Sequence, residues 1–392
     1  MAERPGSTAA LHRRNTALVL YAVRSSGGLV QAEIARRTGL SPATVTNLVR
    51  ELVDEGVIGS EDRVHQGRKA KWISPRAGAE CVLGIDVGRS HVRIALVDLG
   101  FNVLGELQQR LARNTPSADI LALVGEMLEE LLATTGVERA SIVRAGAGIP
   151  GPIDQKRHRI GTPSLLPEWA GIDLPAAFEA ATGVPTSVDN DSNLGALGEY
   201  AWPPALDVDS LFRVRLTTGI GGGLVINGKP WRGVDGTAAE IGHHSIDESG
   251  ALCRCGNRGC VEAIASVPGF LEVLGRAVGH EVDPDEWVQL AQQGNTTAGR
   301  LLEDLGRHVG VAVANIVNLV NPSRILIGGP ISAVGDILLA PLRAEVRQRA
   351  VPAATRGIRI ELGRWGDLAE VYGAAIMAMQ AQDSVTYSIP KW

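Results

Sequence analysis

No stretch of this sequence reaches about 18 apolar residues without a charge or a break, so no membrane span is expected. The first eight residues carry charges and a proline where a secretory signal would need an apolar core, and the chain is expected to be cytoplasmic. Cysteine is scarce. There are four in 392 residues, three of them within eight positions, which argues against a disulfide framework and for a metal clip in a reducing compartment. The fourth, Cys81, opens an apolar segment and reads as a buried thiol. None of the glycine-rich turns fits the P-loop pattern or the dinucleotide-binding fingerprint.

Apolar residues are plentiful, at 45%, over a length that suits two or three domains. Charge is shared unevenly. Residues 1–80 hold 12 Lys and Arg against 8 Asp and Glu, whereas the remainder holds 26 against 35. A positive head on a negative body suits nucleic-acid contact through the head alone.

Within the head, residues 1–79, three helices are expected. Residues 11–24 form the first, with Leu11, Leu18 and Val19 or Ala22 inward, and Gly27-Gly28 end it. Residues 30–38 form the second, with Ala32, Ile34 and Ala35 as its packing face and Gly39 as a left-handed stop. The third starts at Ser41, a good N-cap, with Pro42 in the first helical position, where its missing N–H costs nothing. Val45, Leu48, Val49 and Leu52 give it a buried stripe, and Gly56 ends it. Its other face offers Ser41, Thr44, Thr46, Asn47 and Arg50, side chains suited to base edges and phosphates. Residues 57–58 and 71–73 read as short strands around a basic wing, residues 62–70, with Arg68 and Lys69 at the tip. Together these make a winged helix-turn-helix whose partner is double-stranded DNA. A small helical adaptor is the alternative.

The body repeats a strand, glycine turn, strand pattern. Residues 81–86 run into Asp86-Val87-Gly88-Arg89-Ser90, and residues 211–216 run into Thr217-Thr218-Gly219-Ile220-Gly221. Strands also end at Gly148-Ile149-Pro150-Gly151, at Asp189-Asn190-Asp191 and at Gly328-Gly329-Pro330. The first lobe is expected over residues 80–200, completed by a closing helix in 368–392, and the second over 201–367, with the dimerisation surface. Glycine turns allow close backbone approach to an anion, so Asp86, Gly88, Arg89, Thr218, Gly219, Gly221, Gly328 and Gly329 are the candidate phosphate contacts.

His243, Cys253, Cys255 and Cys260 supply one imidazole and three thiolates, a complete tetrahedral set, and zinc in a structural role is the expected ion. His244 is a second candidate ligand, and reduced, unligated thiols are the alternative. Glu240 precedes His243 by three residues and Glu262 follows Cys260 by two, so the clip draws two carboxylates together. With Asn190 and Asp191 they suit a polyol such as a sugar. Helix caps and surface acids are the alternative reading.

The runs Gly84-Ile85-Asp86-Val87-Gly88, Gly148-Ile149-Pro150-Gly151-Pro152 and Asp189-Asn190-Asp191-Ser192-Asn193, residues 217–243, and the eight residues from Cys253 to Cys260 with Val261-Glu262 resemble the ROK family of repressors and sugar kinases. The resemblance spans nearly the whole chain, and the fused winged helix is similar to its repressor branch. It implies an α/β, actin-like, hexokinase-type (ribonuclease H-like) two-lobed body. It also implies a dimer or tetramer and a sugar or sugar phosphate in the cleft. It assigns sugar contacts to Asn190, Glu240, His243 and Glu262, and to Asp191 the role of catalytic base if the chain is a kinase. Gly148 and Gly151 join the ligand-binding set. Arg89 stands where kinases of the family carry a second glycine, which argues against kinase activity. A sugar-responsive repressor on a palindromic operator is the leading expectation, and an ATP-dependent sugar kinase with a DNA-binding head is the alternative. Residues 161–169 are expected to help choose the sugar.

Overall fold

A computed structural model describes residues 8–65, 68–75, 80–112, 114–162, 166–206 and 208–382, with the side chains of residues 8–10, 13, 65, 68 and 382 excepted. The head begins with helix Thr8–Arg24, followed by Gln31–Thr38 and Pro42–Asp54. Ser41 caps the third helix by accepting from the Thr44 N–H at 3.1 Å, a contact of the kind worth about 1 kcal/mol. Val45, Leu48, Val49 and Leu52 pack with Val19, Leu20, Val23, Ile34, Ile58 and Ile73 in one core. Two expected inward residues point to solvent instead: Leu11 is 51% exposed, and Ala32 is exposed. The first helix buries eight consecutive residues, Ala17 to Arg24, because it is covered on two sides, by the head's core and by the body.

The wing is longer than its sequence suggested. Strands Ile58–His65 and Arg68–Pro75 pair antiparallel over eight residues each, so most of the expected loop is ladder. Cross-strand pairing explains the extension: Asp62 faces Lys71, and the Arg63 guanidinium lies 5.1 Å from the centre of the Trp72 ring. Gly67 and the Arg68 side chain lie outside the described residues.

The body holds two five-stranded sheets of the same design. In the first lobe the spatial order is Thr186–Asn190, Ile142–Ile149, Cys81–Val87, His91–Asp98, Val103–Arg110. In the second it is Arg359–Leu362, Arg324–Gly328, Ser210–Leu216, Ile220–Ile226, Lys229–Pro230. In both, the first three strands run parallel and the last three form an antiparallel meander. Between the sheets lie two helices, Asp191–Ala201 and the closing helix Ala369–Gln382. They join Val82, Ala95 and Val97 of one sheet to Leu211, Val225 and Leu326 of the other in a shared core. Close backbone approach makes this layer thin. A Cβ on Gly146 would lie 2.0 Å from the Ala374 carbonyl oxygen, and one on Gly373 1.8 Å from that of Leu194.

The second lobe is completed by the 25-residue helix Thr296–Val320, capped by Asn295 at one end and by left-handed Asn321 at the other. No helix among the described residues is long and apolar enough to cross a membrane.

Candidate functional site

A cleft of about 1470 Å³ opens between the lobes. Asn190, Asp191, Glu240, His243, Glu262 and Gly151 all line it, as do Arg89, Thr218, Gly219 and Gly221. Five expected contacts are absent from its wall. Gly148 packs under Asp191, with its Cβ position 3.4 Å from the Asp191 Cα. Gly328 makes room for the Arg213 side chain and Gly329 for the Leu216 carbonyl. Asp86 is fully buried and accepts from His91 Nε2 at 2.9 Å, so the His91 ring, not Asp86, reaches the cleft. Burial would raise the Asp86 carboxyl, but the His91 hydrogen bond and the Arg215 charge outweigh it and hold the group below its ordinary value. Gly88 sits under the same ring. The positive-φ residues of the chain do not include Arg89, so arginine is accommodated at that turn without backbone strain.

Helix Asp191–Ala201 starts where a parallel strand ends, which puts its first residue at the cleft floor. Asn190 caps it, accepting from the N–H groups of Ser192 and Asn193 at 2.9 and 3.1 Å and donating to the Gly151 carbonyl at 2.9 Å. Asp191 Oδ1 accepts from the Ser192 N–H at 2.7 Å, and Oδ2 is held by Arg215. Burial pushes the Asp191 carboxyl up against the pull of Arg215, and Asp86 and Glu370 add to the rise. Asp189 faces away from this chemistry: it binds Arg232 at 2.6 Å and the Asn190 N–H at 2.8 Å.

Glu262 Oε2 accepts from the Ile220 N–H at 2.9 Å, and Oε1 pairs with Arg254 at 2.8 Å. Glu240 is pushed up to about 7 by burial and by the charges of Asp191 and Glu262. At neutral pH it therefore both donates and accepts, a versatile partner for hydroxyls.

Behind these carboxylates, His243, Cys253, Cys255 and Cys260 bring four ligand atoms within 4.8 Å of one another. Cys255 and Cys260 sulfurs are 3.6 Å apart, and His243 Nδ1 is 3.6 Å from the Cys253 sulfur. A tetrahedral ion with bonds of about 2.3 Å to sulfur separates its thiolates by about 3.8 Å, so the donor set fits zinc in size and chemistry. His244 lies outside the cluster. Gly259 is required at the turn: its φ is +64° and a Cβ would strike the Asp247 carbonyl. Cys81 takes no part. Its thiol is buried, pushed up to about 11, and donates to the Ser141 carbonyl.

On the head, Ser41, Thr46, Asn47, Arg50 and Lys69 are exposed and Thr44 is half-buried. Arg50 donates to the Asn47 side-chain Oδ1 at 3.3 Å, and the Thr46 hydroxyl to the Pro42 backbone carbonyl at 2.9 Å. Trp169, expected to help choose the sugar, is instead a core residue stacked on Phe178, while residues 163–165 lie outside the described chain.

Sequence reading missed the charges beneath the cleft. Arg213 and Arg215 alternate with Phe212 and Val214 in a fully interior strand, and both bind Glu370 Oε1, at 2.6 and 2.9 Å. Two arginines in so apolar a strand were the available signal, since buried cations require buried acids.

The model of the ROK family matches residues 82–381, and that of the MarR family matches residues 13–69. The xylose repressor of Caldicellulosiruptor bescii is 28% identical over 95% of this chain and 97% of its own. A solved ROK family transcriptional regulator, a homologue of the E. coli Mlc protein, superposes with a TM-score of 0.76 at 25% identity, covering 96% of this chain and 98% of its own. A ROK family glucokinase from Streptomyces griseus, solved with glucose and AMPPNP, reaches 0.67 at 26% identity over 76% of this chain and 99% of its own. The chain thus belongs to the ROK family, in the transcriptional-regulator branch that carries an N-terminal MarR-like head.

Proposed function

We propose that this chain is a transcriptional repressor whose grip on DNA responds to a sugar in the interlobe cleft. One observation carries the reading: Asp191, Glu240, His243 and Glu262 converge on a single cleft in a chain whose head exposes Asn47 and Arg50. Three acids and an imidazole at close range suit the alternating donors and acceptors of a polyol. Asn47 and Arg50 suit adenine and guanine edges in a major groove, with Lys69 on the wing for phosphate. A two-fold dimer would present two such heads to a palindromic operator.

His243, Cys253, Cys255 and Cys260 would hold zinc in a closed, structural shell, which supplies rigidity and leaves no position for water. His243 turns Nδ1 to the thiols, leaving Nε2 on the cleft side to meet a ligand hydroxyl. The loop between Cys253 and Cys260 carries Arg254, so the same clip orients the partner of Glu262. The domains are 1–79, 80–200 with the closing helix, and 201–367 in this reading.

The test is fluorescence anisotropy of the full chain on a duplex selected from a random library. Titration with D-xylose, D-glucose, N-acetylglucosamine and their phosphates should release the DNA, and Glu240→Ala should blunt the release. DNA binding that none of these compounds alters at millimolar level would refute the sensing half. Absence of any selected duplex would refute the DNA half.

A further inference from the structure

The Asp191 carboxylate is occupied before any ligand arrives. Oδ1 accepts from the Ser192 N–H at 2.7 Å and from its hydroxyl at 3.3 Å, while Oδ2 is held by Arg215. Arg215 is itself anchored, donating through Nε to Glu370 Oε1 at 2.9 Å, and Glu370 is gripped from its other side by Arg213 at 2.6 Å. Arg215 and Asp191 are 7% and 6% exposed, and Arg213 and Glu370 are wholly buried. This is a rigid clamp whose parts come from three elements: a strand of the second lobe, the helix start at the cleft floor, and the first turn of the closing helix.

A general base needs a free lone pair aimed at the proton it removes and a small cost for taking that proton. A carboxylate paired with a buried guanidinium meets neither need, because protonating it would strand a charge in a dry interior. It does meet the need of a receptor, which is a fixed acceptor. We propose that Arg215 is a positioning residue that fixes Asp191 as a hydrogen-bond acceptor for a ligand hydroxyl and withholds it from proton abstraction. This rests on reading Asp191 as a ligand contact, and it explains how a kinase-shaped cleft serves as a sensor. The charged groups facing Asp191 are Asp86 from the first sheet, Arg89 from its turn, Glu240 from the second lobe, Glu370 from the closing helix and Arg215 itself. Among the described residues, only Arg215 is in contact with it through an ion pair.

The experiment follows the Asp191 carboxyl by carbon-13 NMR in full-length protein with labelled aspartate, the signal being assigned by its loss in Asp191→Asn. In the unmutated protein the signal should stay that of a carboxylate between about pH 6.5 and 8.5. In Arg215→Met its titration midpoint should rise above that of the unmutated protein, whereas Glu370→Gln should not raise it. Arg215→Lys, which keeps a charge in place, stands in if the methionine variant fails to fold, and it should titrate above the unmutated protein. An unchanged carboxylate signal in either Arg215 variant would overturn the clamp. So would steady ADP release from ATP by the unmutated protein with D-glucose or D-xylose; no release supports it. A clamped Asp191 whose signal ignores a sugar that does release DNA would break only the reading of Asp191 as a ligand contact, so the two failures are distinguishable.

Discussion

The two lobes are built on one plan but carry opposite charge at the same place. Each opens with a seven-residue strand, a tight turn and an antiparallel partner, and each then adds two parallel strands on the same side. Asp86 is the last residue but one of Cys81–Val87, and Arg215 holds that position in Ser210–Leu216. The first turn contains Arg89 and Ser90 and the second Thr218 and Gly219. The difference teaches that the lobes are complementary where they meet: the acid of one frame and the base of the other are close enough to shift each other's titration. A symmetrical pair of acids at that spot would repel, and the helices between the sheets would have no ionic anchor.

Breaking that complementarity should produce the largest effect. Glu370→Ala strands Arg213 and frees one side of Arg215, and loss of one partner of a buried pair typically costs about 3–5 kcal/mol. Chemical denaturation should show that loss; a change under about 1 kcal/mol would mean that water or rearrangement replaces the acid. A smaller effect is expected at Glu240, which the second lobe aims at the cleft where the first lobe's outer strand supplies Gln108 and Arg110. Its raised folded value means that the native state binds a proton the unfolded state has released. Its contribution is therefore whole below its ordinary value near 4.5 and is lost as pH rises to about 7. Glu240→Gln should remove that decline and stabilise the protein above pH 7 by about 2 kcal/mol, read as a difference in thermal unfolding at about pH 5 and 8. Equal pH profiles would show that the acid is ionised throughout.

The smallest effect concerns where the head leans. Tyr21 of the first helix donates to the Ala201 carbonyl at 3.4 Å, accepts from the Ala205 N–H at 3.1 Å and meets the Phe101 ring edge-on at 5.9 Å. Phe101 sits in the turn between the first lobe's second and third strands; the matching turn of the second lobe is Asn227-Gly228. Tyr21→Phe keeps the ring and removes the hydroxyl, leaving the Ala205 N–H without that acceptor, at a cost of about 1 kcal/mol. Protease cleavage between head and body should rise correspondingly, and an unchanged cleavage rate would show that the head is held elsewhere.

Features made by adjacent residues were legible in the sequence. The Ser41-Pro42 start and the Cys253 to Cys260 loop state their chemistry within ten positions, and the structure has the helix and the donor cluster where they imply. The clamp was not legible because Asp191, Arg215 and Glu370 are brought together by folding across a sequence separation of 179. Asp86 and the Gly328-Gly329 pair were read as phosphate contacts because they sit at glycine-rich turns where strands end. Here His91, Arg213 and the Leu216 backbone fill the space beside them. Leu11 and Ala32 were placed inside by periodicity alone, and both are exposed.

Phe101 itself adopts a φ of +64°, a conformation that large side chains avoid at a cost of about 1 kcal/mol or more. Its ring lies between Tyr21 and Trp202, and Trp202 stacks on Tyr372 of the closing helix at 4.0 Å. This row of rings joins the closing helix, which carries both Glu370 and Tyr372, to the first helix of the DNA-reading head.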